Sequence, residues 1–175
     1  NGTSGGVTLP DDVISSRSLT IEMWFKSTGA GALYGQRNAT STKYAPILYV
    51  GTDNKLYGGL WGPGYGAANL VSTGSVVGNG WHHVALTSNG VSQTLYLDGA
   101  QIGDRSGVPD VLGMPIGSIG SAWTNGWTAT NNAWFVFNGT IDDVALYSYP
   151  LSGSRVKTHY DARSLGEFSG TKRVR

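Results

Sequence analysis

Polar and apolar residues alternate with a period of two along most of this chain. In Ser18-Leu19-Thr20-Ile21-Glu22-Met23-Trp24-Phe25-Lys26, the residues Leu19, Ile21, Met23 and Phe25 interleave with Thr20, Glu22, Trp24 and Lys26. Successive strand side chains point to opposite faces, so this pattern predicts a strand with one apolar face. Segments of similar character follow at Ala32 to Gln36, Ile47 to Val50, Lys55 to Trp61, Asn69 to Ser72 and His82 to Ser88. Others lie at Ser92 to Leu97, Ala100 to Gly103, Ile116 to Ile119 and Thr140 to Ser148. Asn89-Gly90, Asp98-Gly99 and Asp53-Asn54 each separate two such segments. These pairs tolerate the positive φ of tight hairpin turns, which predicts antiparallel meanders. One helix is expected over Gly153 to Ala162, with Ser152 as N-cap and Leu151 and Val156 as a hydrophobic staple. The pattern reads as an all-β fold, a two-sheet antiparallel β-sandwich or jelly roll with one short C-terminal helix. The expected domain covers residues 1–162, and a basic tail or linker containing Lys172, Arg173 and Arg175 covers 163–175.

Composition narrows the function classes. Only 13% of the 175 residues are charged, against about 25% in an average soluble domain. The 27 glycines suit a turn-rich chain. The absence of cysteine removes disulfides, zinc–thiolate sites and thiol nucleophiles together. It does not place the chain in a reducing compartment. A net charge of +1 argues against a nucleic-acid partner, which needs a clustered basic surface. No apolar run reaches the roughly 18 residues of a membrane span, so no membrane insertion is expected. Asn1 in place of an initiator Met suggests a mature or excised fragment.

Catalytic chemistry finds little support. Glycosidases pair two carboxylates about 5 to 9.5 Å apart. On a strand that calls for acidic residues two or four apart, because alternate side chains share a face. Glu22 has no acidic neighbour at that spacing, and the other glutamate, Glu167, lies in the tail. Asp11-Asp12 and Asp142-Asp143 are adjacent pairs, which point apart, as do His82 and His83. No Gly-x-Ser-x-Gly elbow and no Gly-x-x-x-x-Gly-Lys loop is present. No catalytic residue is assigned. The aromatic residues are more informative. Trp123, Trp127 and Trp134 fall with Asn125 in a long segment without clear alternation, and Trp61 and Tyr65 lie in a second, Gly-rich loop. Aromatic faces stack on sugar C–H groups while amides bond hydroxyls, so these six residues are the candidate ligand-binding set. The competing reading is that Trp123 and Trp134 cap the edge of the sandwich. Sequons at Asn1, Asn38 and Asn138 decide little in a chain this rich in Asn, Gly and Thr.

Three groups of residues carry a family resemblance. They are Gly80-Trp81-His82-His83-Val84-Ala85-Leu86 with Thr94-Leu95-Tyr96-Leu97-Asp98-Gly99, the opening strand Leu19 to Lys26, and the closing run Phe137 to Tyr147 with Pro150-Leu151-Ser152. In this order they resemble the laminin-G-like, concanavalin A-like jelly-roll family, in the style of copies embedded in large bacterial surface proteins. The Glu-x-Asp-x-x-Glu pattern of glycosidases with such folds is absent. The family often holds a structural calcium with the aspartate that opens the last long strand, which maps to Asp142. The strand pattern puts Asp142 on one face with Val144 and Leu146, where a buried carboxylate wants a cation or a donor; a hydrogen-bonded turn aspartate is the alternative. The resemblance implies a non-catalytic extracellular or cell-surface module for binding or adhesion. Its expected partner is a glycan or a cell-surface protein, beside other domains of the same polypeptide. The alternative is a spacer or protein-interaction module, with a degenerate glycosidase third.

Overall fold

The strand Ser18–Ser27 shows why this sequence folds as a sandwich. Leu19, Ile21, Met23 and Phe25 are buried in one apolar cluster with residues of five other strands, the side of the alternation that water rejects. In the computed structural model, which describes residues 5–63, 69–111 and 113–165, thirteen strands and one α-helix follow in order. They are β1 (Val7–Thr8), β2 (Ser18–Ser27), β3 (Gly31–Arg37), β4 (Tyr44–Val50), β5 (Lys55–Gly58), β6 (Leu70–Ser75) and β7 (His82–Asn89). Then come β8 (Ser92–Leu97), β9 (Ala100–Ser106), β10 (Ile116–Ile119), β11 (Ser121–Trp123), β12 (Trp134–Val136), β13 (Gly139–Tyr147) and α1 (Gly153–Asp161).

Two antiparallel sheets result. One runs β1-β10-β3-β4-β5-β6, with the β11–β12 hairpin attached to β3 through Val136 and Ala32. The other runs β13-β2-β7-β8-β9. Between them Ile21, Met23, Phe25, Val84, Leu86 and Leu95 share the core with Leu33, Ile47, Leu48, Leu56 and Leu60. The three expected hairpin turns lie between β4 and β5, β7 and β8, and β8 and β9, with positive φ at Asn54, Gly90, Asp98 and Gly99. The helix starts as expected: the Ser152 hydroxyl accepts from Arg155 N–H, and Leu151 and Val156 are buried together. Residues 162–165 continue it as a 3₁₀ turn, so the expected tail starts inside that turn; the basic cluster at 172–175 lies outside the described residues.

Both outer faces are also covered, which the alternation did not predict. Helix α1 lies on the second sheet, where Val156 and Leu151 pack against Ala85 and Tyr96. The β11–β12 hairpin lies on the first, where Ala122 and Phe135 pack against Ala32, Tyr49 and Tyr57. Gly35 makes this second contact possible, because a Cβ there would sit 2.5 Å from the Cβ of Ala122. Gly35→Val should therefore lift the hairpin and lower stability by about 1–3 kcal/mol. Chemical denaturation reads the loss, and near-UV circular dichroism reads the displaced tryptophans.

Candidate functional site

The hairpin that covers the first sheet also builds the site. Its loop, residues 124–133, closes on itself through short polar side chains. Thr124 is fully buried, its hydroxyl within 2.9 Å of the Ala133 carbonyl and 3.1 Å of Asn131 Oδ1. The Thr130 hydroxyl reaches the Trp127 carbonyl at 2.9 Å, Asn131 Nδ2 donates to the Trp134 carbonyl at 2.9 Å, and Gly126 N–H donates to Asn132 Oδ1 at 3.0 Å. Three bonds tie the loop to β4 and the turn after it, one of them from the Tyr44 hydroxyl to the Asn125 carbonyl at 3.1 Å. The Tyr49 hydroxyl donates to the Thr128 carbonyl at 2.9 Å, and Thr52 N–H to the Ala129 carbonyl at 2.8 Å. A loop held this way keeps its shape before any ligand arrives, which lowers the entropy cost of binding.

Beside it lies an open cavity of about 310 Å³, lined by Thr42, Lys43, Tyr44, Trp61, Met114, Asn125, Gly126 and Trp127. Aromatic and thioether surfaces alternate there with a hydroxyl, an amide and an ammonium, a lining suited to a ligand with both C–H and O–H faces. The aromatic surface continues outside the cavity. Tyr44 meets Trp123 edge-on with ring centres 6.4 Å apart, and Trp123 meets its cross-strand partner Trp134 at 5.8 Å. Trp134 is 45% exposed.

The expected site residues thus separate into three groups. Trp61, Asn125 and Trp127 come together around the cavity, so the two loops do share a rim. Trp123 and Trp134 adjoin it, while Tyr65 lies outside the described residues. Trp127 differs from expectation in being a core residue, 7% exposed, that also lines the cavity. Sequence reasoning missed Tyr44 and Arg37, direct partners across β3 and β4. The one signal for them was the short polar turn between two strands, residues 38–43.

A second constellation lies on the outer face of the other sheet. Glu22, 5% exposed, receives His83 Nε2 at 2.7 Å and His159 Nδ1 at 3.0 Å. Burial would raise its pKa, but the two imidazole hydrogen bonds and their charge outweigh it, leaving the carboxyl below its ordinary value of 4.5. His83 Nδ1 is buried without a hydrogen-bond partner. Topology brings Asp143 to the rim of the same cavity of about 250 Å³, a meeting that strand spacing alone did not reveal. This is a poor glycosidase pair all the same, since a general acid needs a raised pKa and Glu22 is driven the other way. His82 points apart from His83, as expected, and binds Asp98 at 2.8 Å.

Asp142 is not buried. A bulge between Asp142 and Ala145, with Asp143 at φ +48°, inserts an extra residue and moves Val144 and Leu146 off the face that Asp142 occupies. Ile141, Val144 and Leu146 pack against the core, while exposed Asp142 accepts from Asp143 N–H at 2.9 Å. Among the described residues no three His, Cys, Asp or Glu side chains gather as metal ligands. A calcium ion takes six to eight oxygens, and Asp142 does not supply the buried carboxylate on which that expectation rested.

Comparison with known proteins agrees with this geometry. The family model for the concanavalin A-like lectin/glucanases superfamily matches residues 1–157. No curated protein matches the sequence. Among solved structures, the chain is similar to domain 4 of AbnA, an extracellular arabinanase of Geobacillus stearothermophilus in complex with arabinotriose. The TM-score is 0.63 at 18% identity, covering 87% of this chain and 71% of the other. It is also similar to the CBM40 of a Ruminococcus gnavus sialidase bound to α2,3 sialyllactose, with a TM-score of 0.63, 16% identity, and coverage of 90% and 97%. Mouse laminin α1 domains LG4-5 give 0.63 at 15% identity, covering 88% of this chain and 42% of the other. Likenesses this distant bear on the fold.

Two outcomes follow from the buried carboxylate and the exposed one. Because Glu22 titrates below 4.5 when folded, its contribution is fully present above that value and is lost as pH falls through the folded pKa. Thermal melts should therefore fall as the pH drops below 4.5. Glu22→Gln should flatten that decline and cost about 1–3 kcal/mol at neutral pH. EDTA addition tests the calcium expectation: a melting-temperature shift in the wild type that vanishes in Asp142→Ala supports it, and no shift in either protein ends it.

Proposed function

The chain belongs to the concanavalin A-like lectin/glucanase superfamily, and within it we propose a non-catalytic carbohydrate-binding module that works outside the cell as one domain of a larger polypeptide. The observation that carries this reading is the continuous run of Trp61, Tyr44, Trp123 and Trp134 beside the Asn125 amide, half of it inside a cavity and half on open surface. Indole and phenol faces attract the C–H face of a sugar ring, and an amide donates to one hydroxyl while accepting from another. Charge contributes little in such a site, which suits a chain with so few charged residues.

The relatives support the reading without fixing the ligand. Two similar structures are glycan complexes, of arabinotriose and of sialyllactose. One belongs to an extracellular enzyme as its fourth domain. Another similarity, to a Trypanosoma rangeli sialidase, covers only 27% of that protein, so there too the fold accompanies other domains. Glu22 is spent on two imidazoles, and among the described residues no carboxylate lines the aromatic cavity, which favours binding over hydrolysis.

The test is a glycan array followed by calorimetry on each hit. Trp134→Ala and Trp61→Ala should each weaken binding about tenfold or more, equivalent to roughly 1.4 kcal/mol, with the fold intact by circular dichroism. Trp127→Ala is unsuitable, because removing that ring opens the core. No binding across a broad array would overturn the reading in favour of a spacer or protein-interaction module.

A further inference from the structure

We propose that the aromatic strip ends in an anion subsite at Arg37, and that the module's ligand is an acidic oligosaccharide bearing carboxylate or sulfate. The proposal rests on the glycan reading above and specifies its substrate class.

Arg37 is the last residue of β3 and pairs directly with Tyr44 at the start of β4. Cross-strand partners present their side chains on the same face. Trp123 and Trp134, likewise direct partners, lie over these two. Tyr44 touches Trp123 with ring centres 6.4 Å apart, and the Arg37 guanidinium carbon stands 5.7 Å from the centre of the Trp134 ring. The four side chains therefore close a square: two sheet residues below, two tryptophans above, and the cavity adjoining at Tyr44. A sugar chain that starts in the cavity and follows the rings arrives at the guanidinium.

The state of Arg37 suggests what it meets there. Its one hydrogen bond runs from Nη1 to the Asn38 carbonyl at 3.2 Å, and its Nε is buried without a partner. Among the described residues, no carboxylate stands within ion-pair distance of it. Nearby Lys43, by contrast, pairs with Asp110 at 2.9 Å. A partly buried guanidinium held against an indole but given no counter-charge has lost hydration without electrostatic return. Its planar fork is suited to the two oxygens of a carboxylate or sulfate. The shape of the strip excludes the commoner polyanion. A nucleic acid needs cations repeated along its phosphates, whereas this strip offers uncharged rings and one cation at its end.

Calorimetry with four probes tests the assignment: trigalacturonic acid, its methyl ester, a sulfated carrageenan tetrasaccharide and a single-stranded DNA hexamer. Trigalacturonic acid or the sulfated tetrasaccharide should bind about ten- to hundredfold more tightly than the uncharged ester, as expected of a charge-assisted bidentate contact. Whichever of the two binds better identifies carboxylate or sulfate as the source of the anion. Arg37→Gln should erase the preference by bringing the affinity for the acid down to that for the ester. Arg37→Lys should keep part of the preference, and near-UV circular dichroism should show the tryptophans in place in both variants. Equal affinity for acid and ester, or a preference that survives Arg37→Gln, overturns the subsite and leaves the glycan reading standing. So does binding confined to neutral members of the array. DNA binding as tight as that of the acidic sugars overturns the acidic-glycan assignment. Failure of every probe and of the whole array overturns both readings.

Discussion

Glu22 carries a negative charge on a side chain that is only 5% exposed, and the second sheet is organised around keeping that charge satisfied. The strand β2 sits between β13 and β7, so its inner face meets the core and its outer face needs a cover of its own. Glu22 takes one imidazole from the neighbouring strand and one from helix α1. Two positions before it, the Thr20 hydroxyl donates to the Tyr149 carbonyl at 2.9 Å and accepts from Leu151 N–H at 2.8 Å. Two positions after it, Trp24 stacks on Tyr160 of the helix with ring centres 5.8 Å apart. Lifting the helix would strand a buried carboxylate with half its partners, and removing one partner of a buried ion is far more damaging than never having the ion. The charge therefore fixes the helix to the sheet more firmly than Val156 and Leu151 would alone.

The first sheet meets the same requirement with neutral groups. Tyr49 and Tyr57 stack at 4.9 Å on its outer face and put two hydroxyls under the β11–β12 hairpin. Burial raises the Tyr49 pKa well above the ordinary phenol range, so the hydroxyl remains a donor, and it donates to the Thr128 carbonyl. Asn69 donates to it in turn, and Tyr57 donates to Asp53 at 2.8 Å. These bonds hold the hairpin flat against the sheet, and the flatness decides what shows on its far side. Ala122 and Phe135 face inward; Trp123 and Trp134, one residue away in each strand, must face out. The proposed recognition surface is thus the reverse side of a packing solution.

That reversal explains why the frame was more legible in the sequence than the site. Strand β2 announces itself because its outer-side residues Thr20, Glu22 and Lys26 are polar and its core residues apolar. The strands β11 and β12 alternate just as strictly, but with tryptophan on the open side and alanine or phenylalanine on the covered side. Polarity carries no signal there, and three residues per strand leave little room for one. The helix was readable because Ser152, Leu151 and Val156 act locally. The Glu22 constellation was not, since its members are 61 and 137 residues apart and only the strand order brings them together. Asp142 was misplaced for a third reason. A bulge with a residue at positive φ shifts the parity of every position after it, and Asp143 is not a residue type that signals one as glycine would.

The scarcity of charge then acquires a physical meaning. A carbohydrate ring offers hydroxyls and C–H faces, which neutral aromatics and amides recognise without the desolvation cost of burying ions. Among the described residues, the one glutamate is committed to two histidines. The sandwich pairs Lys43 with Asp110 and places Arg37 against Trp134, so one uncompensated cation remains beside the aromatic strip. In a surface crowded with charges such a residue would find a carboxylate at hand and lose its selectivity. Here the low charge density leaves it without a carboxylate partner among the described residues, and on the proposed reading a single guanidinium is enough to distinguish an acidic sugar from a neutral one of the same shape.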